Sequence, residues 1–218
     1  MQDNLRHPDG MAYMNASPFG QYGPRDVADI VAAYPLAWAW AQGGDPGAGA
    51  LLPMLGEYDE AGRLTHLLGH MSRANPLIAA LAGGDAVGFL FTGPQAYVSP
   101  EDAGRRDWGP TWIYARVAIS GRITFLPAET RDAVEQLARH MEAGRPQPWT
   151  IAEIDHRAGP MLERIIAFRV AVDAVHGWFK LGQDESPEVL RAILAATADP
   201  GMKGWIMRFN RDRLENGA

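Results

Sequence analysis

Thr111-Trp112-Ile113-Tyr114-Ala115-Arg116-Val117-Ala118-Ile119-Ser120-Gly121-Arg122-Ile123-Thr124-Phe125 decides the fold. The stretch is dominated by β-branched and aromatic residues, and Trp112 and Tyr114 alternate with Thr111 and Ile113, the period-two signature of a strand. Such a run predicts one long strand or a bent pair. Ser120-Gly121 interrupts the alternation, so a bulge or barrel corner is expected there. Upstream, residues 86–92 form another apolar strand, followed by Gly93-Pro94-Gln95-Ala96-Tyr97-Val98-Ser99-Pro100, where two prolines predict a loop presenting Tyr97.

Downstream the period changes. Val134, Leu137, Ala138 and Met141 fall at helical spacing within residues 129–141, and a Gly/Pro-rich segment at 143–148 ends that helix. A second helix is expected over roughly 151–163. Residues 165–175 alternate again and continue toward Trp178 and Leu181, and Ser186-Pro187 then caps a last helix to residue 197. On the amino-terminal side, Pro24 and Asp26 open a helix with Val27, Ile30, Val31 and Tyr34 on one face. Strands are predicted at 36–41, 50–55 and 64–71, and Asn75-Pro76 starts a short helix. Residues 1–23 read as an irregular arm and 24–218 as a single domain. About six strands interleaved with four or five helices, without regular βαβ spacing, predict an α+β fold around a mainly antiparallel sheet or barrel.

Composition narrows the function. The 218 residues are 47% hydrophobic and 21% charged, as in ordinary globular domains. With 20 Lys+Arg against 26 Asp+Glu and a net charge of −6, the chain lacks the basic footprint of direct DNA binding. Zero cysteines exclude disulfides, thiolate nucleophiles, zinc ribbons and iron–sulfur clusters. The first ten residues show no signal-peptide pattern and no apolar run is long enough to span a bilayer, so a soluble, cytoplasmic protein without membrane contact is expected. The six histidines make no HExxH spacing, and no nucleophile elbow or Walker loop is present.

Four segments bring chemistry-bearing side chains together. Gly69-His70-Met71-Ser72-Arg73-Ala74-Asn75-Pro76 combines a candidate iron ligand, His70, with Arg73 and Asn75 at a helix start suited to phosphate. Tyr97 sits in the proline-bounded segment. Thr111 leads the central strand, with Trp112 and Tyr114 as an aromatic pair for a planar ring. Lys180 and Gln183 close the last strand within Lys180-Leu181-Gly182-Gln183-Asp184 and reach toward an anion or a polar ring edge. Each segment alone also reads as ordinary caps, turns and core.

Taken in order, GHMSRANP (69–76), FTGPQAYVSP (91–100), PTWIYARVAISG (110–121) and KLGQD (180–184) resemble the PaiB family, whose members are called FMN-binding negative transcriptional regulators. The resemblance spans roughly residues 24–197. It implies a split β-barrel like that of flavin reductases and pyridoxamine phosphate oxidases, commonly a homodimer with the cofactor at the subunit interface. FMN is the implied cofactor, its phosphate held by Arg73, Thr111 and Lys180 and its ring by Trp112, Tyr114 and Gln183, with an oxidoreductase or regulatory role. The family also contains haem-dependent piperazate synthases, whose axial histidine lies in GHMxRANP. That residue falls on His70, so haem b is the alternative cofactor. A regulator acting through protein contacts is the third reading. The chain departs from the family pattern at Leu51 (usually His), Ile113 (usually Asn), Gly182 (usually Ser) and Asp184 (usually Asn), changes that predict a more apolar site.

Overall fold

A computed structural model describes residues 17–83 and 86–215. Six strands, β1 (Leu36–Ala41), β2 (Ala50–Tyr58), β3 (Leu64–Ser72), β4 (Ala86–Val98), β5 (Thr111–Leu126) and β6 (Ile165–Lys180), close into a barrel in the order β1-β2-β3-β6-β5-β4. β1 pairs antiparallel with β2 and β4, and β3 with β2 and β6. Around them lie α1 (Pro24–Ala33), α2 (Leu77–Ala80), α3 (Thr130–Met141), α4 (Asp155–Leu162), α5 (Pro187–Ala196) and α6 (Pro200–Glu215). The α+β class and the mainly antiparallel barrel are those the sequence predicts. The chain divides into two compact units, one of residues 23–92 and 117–176, the other of the described residues among 1–22, 93–116 and 177–218.

In the first unit, strand alternation sorts the residues. Ala37, Ala39, Met54, Leu67, Phe89, Phe91, Val117, Phe168 and Val170 are fully buried, while Trp38, Trp40, His66 and Arg169 take the opposite face. Helix α3 covers part of that outer face, packing Ala133 on Leu68 and Ala167 with Leu55 and Leu126 at the edge. Thr130, at its start, accepts the Ala167 N–H at 3.2 Å and donates to the Pro127 carbonyl at 3.0 Å, so a buried backbone donor is satisfied where β5 ends. β5 runs unbroken through Ser120-Gly121. Gly121 is required there because a Cβ would collide with the Ala171 carbonyl oxygen and come within 2.7 Å of Val170 Cγ1.

In the second unit the end of the amino-terminal arm packs. Phe19 meets Trp178 edge-on at 5.5 Å, and Tyr22 lies 5.7 Å from Phe179, which stacks on Phe209 of α6 at 4.8 Å. Residues 1–16 of the predicted arm lie outside the described residues. Helix α5 begins as predicted, with the Ser186 hydroxyl accepting the Val189 N–H.

Three expectations are corrected. β4 continues through Gly93-Pro94 to Val98, so Tyr97 stands on a strand and not on a loop; a strand accommodates proline wherever the missing N–H has no ladder partner to lose. The predicted 151–163 helix starts as a 3₁₀ turn, Ile151–Ile154, before α4. Residue 197 does not end the last helix: α6 follows, with the polar Asn210 in a buried position of its period and with a non-helical φ of −128° and ψ of 17° there.

Because the Gly121 contact is with backbone, which cannot move aside as a side chain can, Gly121→Val should destabilise the fold by about 3 kcal/mol. Urea unfolding measures this, and an unchanged midpoint at unchanged slope would contradict the close approach.

Candidate functional site

The first strand residue of β5 and the last of β6 meet. Lys180 Nζ donates to Thr111 Oγ1 at 2.6 Å, and among the described residues no carboxylate pairs with Lys180. An ammonium has three donors and one is used here. The Thr111 oxygen accepts that proton, which leaves its own hydroxyl proton to donate elsewhere. Both side chains are half-buried. Two ammonium protons and one hydroxyl proton therefore stay available, a donor set suited to an anion.

An aromatic ledge adjoins this pair. Trp112, next in sequence to Thr111, is 54% exposed, and Tyr97 on β4 is 53% exposed, with their rings edge-to-face at 5.8 Å and 64°. Large aromatics left this open are not needed for the core, and the ring surface outside their mutual contact can receive a planar group. Tyr114 follows Trp112 on the same face and is half-buried. Thr111 and Trp112 leave the strand on opposite faces, so a ligand that uses both lies across the strand end.

Residues 181–185 form the turn that follows Lys180. Gln183 spends its amide inside this turn, Oε1 accepting the Leu181 N–H at 2.7 Å and Nε2 donating to the Phe179 carbonyl at 2.6 Å. Gly182 has φ +87°, which explains a glycine where the family carries serine. The indole N–H of Trp108 donates to the Glu185 carboxylate at 2.9 Å. Helix α6 adds Asn210 and Arg213, which bond to the carbonyls of Leu181, Gly182 and Glu185. Sequence reasoning missed Trp108, Glu185, Asn210 and Arg213. The one available signal was Asn210, a polar residue at helical spacing from Met202 and Ile206.

His70, Arg73 and Asn75 lie in the first unit. On β3, His70 is opposite Ala167 in register and shares the outer face with His66 and Leu68. The imidazole is half-buried, its Nδ1 is fully buried without a hydrogen-bond partner, and burial pushes its pKa below the usual 6.5. Arg73 is exposed, its Nε donating to the Glu163 carbonyl at 3.1 Å. Asn75 Oδ1 accepts the Leu77 N–H at 3.0 Å just ahead of α2, which is a single turn and carries little summed dipole. Of the nine residues predicted for the site, the structure brings Thr111 to Lys180 and Tyr97 to Trp112, and it places Gln183 in the turn beneath Lys180.

The departures also have places. Leu51 is 57% exposed on the outer face of β2, whereas Ile113 is 2% exposed and so belongs to the core. Asp184 is exposed. The apolar gain at the surface therefore comes from Leu51 alone of these.

Residues 13–174 match the family described as "Putative FMN-binding domain". The chain belongs to that family. Among solved structures, the FAD and heme binding protein of Mycobacterium smegmatis is 18% identical over 79% of this chain and 78% of its own, with a TM-score of 0.54. A flavocytochrome of Azotobacter vinelandii is 14% identical over 74% of this chain and 69% of its own, with a TM-score of 0.51. These likenesses establish the split-barrel fold. None of the curated proteins compared with the chain matches it. Among the described residues no helix is long and apolar enough to cross a membrane, and no three His, Asp or Glu side chains gather as a metal site.

The unfolded chain protonates His70 near pH 6.5, the folded chain only at lower pH, so this residue costs no stability above about pH 6.5 and progressively more as pH falls below it. His70→Gln removes that cost. Wild type should lose more unfolding free energy than His70→Gln between about pH 7 and 5, and parallel pH profiles would contradict a buried neutral imidazole.

Proposed function

We propose that this protein binds FMN, with the phosphate on the Lys180–Thr111 pair and the isoalloxazine ring against Trp112 and Tyr97, and that it acts as a PaiB-like oxidoreductase or flavin-dependent regulator. The observation that carries this reading is the ammonium 2.6 Å from a hydroxyl, with no carboxylate partner among the described residues, beside two exposed aromatics, in a chain of an FMN-binding domain family. The residues fit the group. An FMN phosphate brings about −1.5 to −2 charges near pH 7 and calls for several charge-assisted donors, and this strand end offers three. Lys180 holds the phosphate, Thr111 orients it through its hydroxyl proton, and the ledge excludes water from one side of the ring. Bound flavin supplies hydride and single-electron transfer, which no side chain here provides. A homodimer in the cytoplasm, with the flavin at the subunit interface, completes the proposal and gives the exposed Leu36 and Leu51 on neighbouring strands a partner surface.

Haem b is the second reading, favoured by His70. Its imidazole is held neutral, the form that ligates iron, on the outer face of the barrel. The mycobacterial neighbour is described as binding both FAD and heme. Haem ranks behind FMN because a ligating histidine ordinarily donates its second N–H to an acceptor, and the buried Nδ1 has none.

Lys180→Ala should weaken FMN binding by about tenfold to a hundredfold, the range expected for a charge-assisted hydrogen bond, as read by quenching of flavin fluorescence. Wild-type affinity in that variant would sink the phosphate assignment. For the second reading, His70→Ala should abolish the Soret band of haemin-reconstituted protein, and an unchanged spectrum would exclude His70 as the ligand.

A further inference from the structure

The geometry points to Arg213 and Asn210 of α6 as the positioning residues that aim Lys180 at the phosphate, an inference that rests on the FMN reading above. Asn210 is 1% exposed and breaks the helix, and its amide nitrogen reaches the Leu181 carbonyl and the Ile206 carbonyl, both at 2.9 Å. Its amide oxygen accepts from Arg213 Nη1 at 2.9 Å. The same Nη1 donates to the Gly182 carbonyl at 3.0 Å, and Nη2 donates to the Glu185 carbonyl. Two side chains one helical turn apart thus gather three carbonyls of one five-residue turn.

The pattern exceeds what is needed to satisfy a helix end. A helix can end on solvent or on a glycine cap at little cost. Here α6 breaks its own geometry at Asn210 to deliver an amide and a guanidinium to the residues directly after Lys180. The grip continues on either side: Phe209 stacks on Phe179, the residue before Lys180, and Trp108 holds the Glu185 carboxylate. A lysine has four rotatable bonds and gains little from an anion contact unless its backbone is fixed. The residues on both sides of Lys180 are held in this way, and its ammonium reaches Thr111.

The consequence is selective. A clamp that only stabilises the fold affects all ligands of the barrel alike, whereas a clamp that aims Lys180 affects those that carry the phosphate. Riboflavin has the ring of FMN and lacks the phosphate, so the ratio of the two affinities isolates the effect. Wild type, Arg213→Ala, Arg213→Lys and Lys180→Ala are each titrated with FMN and with riboflavin. The FMN preference should fall about tenfold or more in Arg213→Ala and in Lys180→Ala while riboflavin affinity stays unchanged, and Arg213→Lys, with one charge but no fork, should fall between. Loss of preference in Lys180→Ala with full preference in Arg213→Ala would overturn the positioning role and leave the phosphate reading standing. Full preference in Lys180→Ala would overturn the phosphate reading and this inference with it. Should Arg213→Ala not fold, Arg213→Lys is judged by the same ratio, and a wild-type ratio in it overturns the role.

Discussion

Barrel closure is the constraint on which the rest depends. Six strands whose ends join leave no free edge, and alternate residues of each must turn inward. The interior of this barrel is filled by Phe89, Phe91, Met54, Leu67, Phe168 and Val170, all fully buried. A core filled in this way directs a ligand to the outer face or the strand ends. The chemistry-bearing residues lie in those places: His70 on the outer face of β3, and Thr111 and Lys180 at the beginning and end of their strands.

Two features of the chain then divide the work. Within 23–92 and 117–176, small residues do the fitting: Gly121 admits a neighbouring carbonyl, and Ala133 and Ala167 let α3 lie close on the sheet. Within 93–116 and 177–215, polar side chains do it, by bonding to backbone carbonyls around the 181–185 turn. A hydrogen bond to backbone is worth about 1 kcal/mol net, yet several acting on five residues remove most of their conformational freedom. Pre-ordering of that kind suits a residue that must meet a ligand in one orientation.

Much of this was legible in the sequence. Trp112, Ile113 and Tyr114 gave away their strand by alternation, and Ser186-Pro187 its helix by cap chemistry, because both signals are local. The path of residues 93–98 was not legible, since Gly-Pro reads as a turn unless the neighbouring strands that extend it are known. Helix α6 escaped for a related reason: the third buried position of its period, after Met202 and Ile206, is the polar Asn210, whose partner Leu181 lies 29 residues away in sequence. Of the site, the Thr111–Lys180 pairing was foreseeable only through the family motifs, because no local pattern brings residues 69 apart within 2.6 Å. Gln183 illustrates the converse. Its residue type suits a ring edge, but its own turn uses the amide.

The most direct measurement is an absorption titration of the freshly purified, full-length protein with FMN and, in a parallel cell, with haemin. The account predicts flavin bands that shift on binding and saturate at one FMN per chain. An unchanged flavin spectrum, together with a saturable Soret shift on addition of haemin, would contradict it.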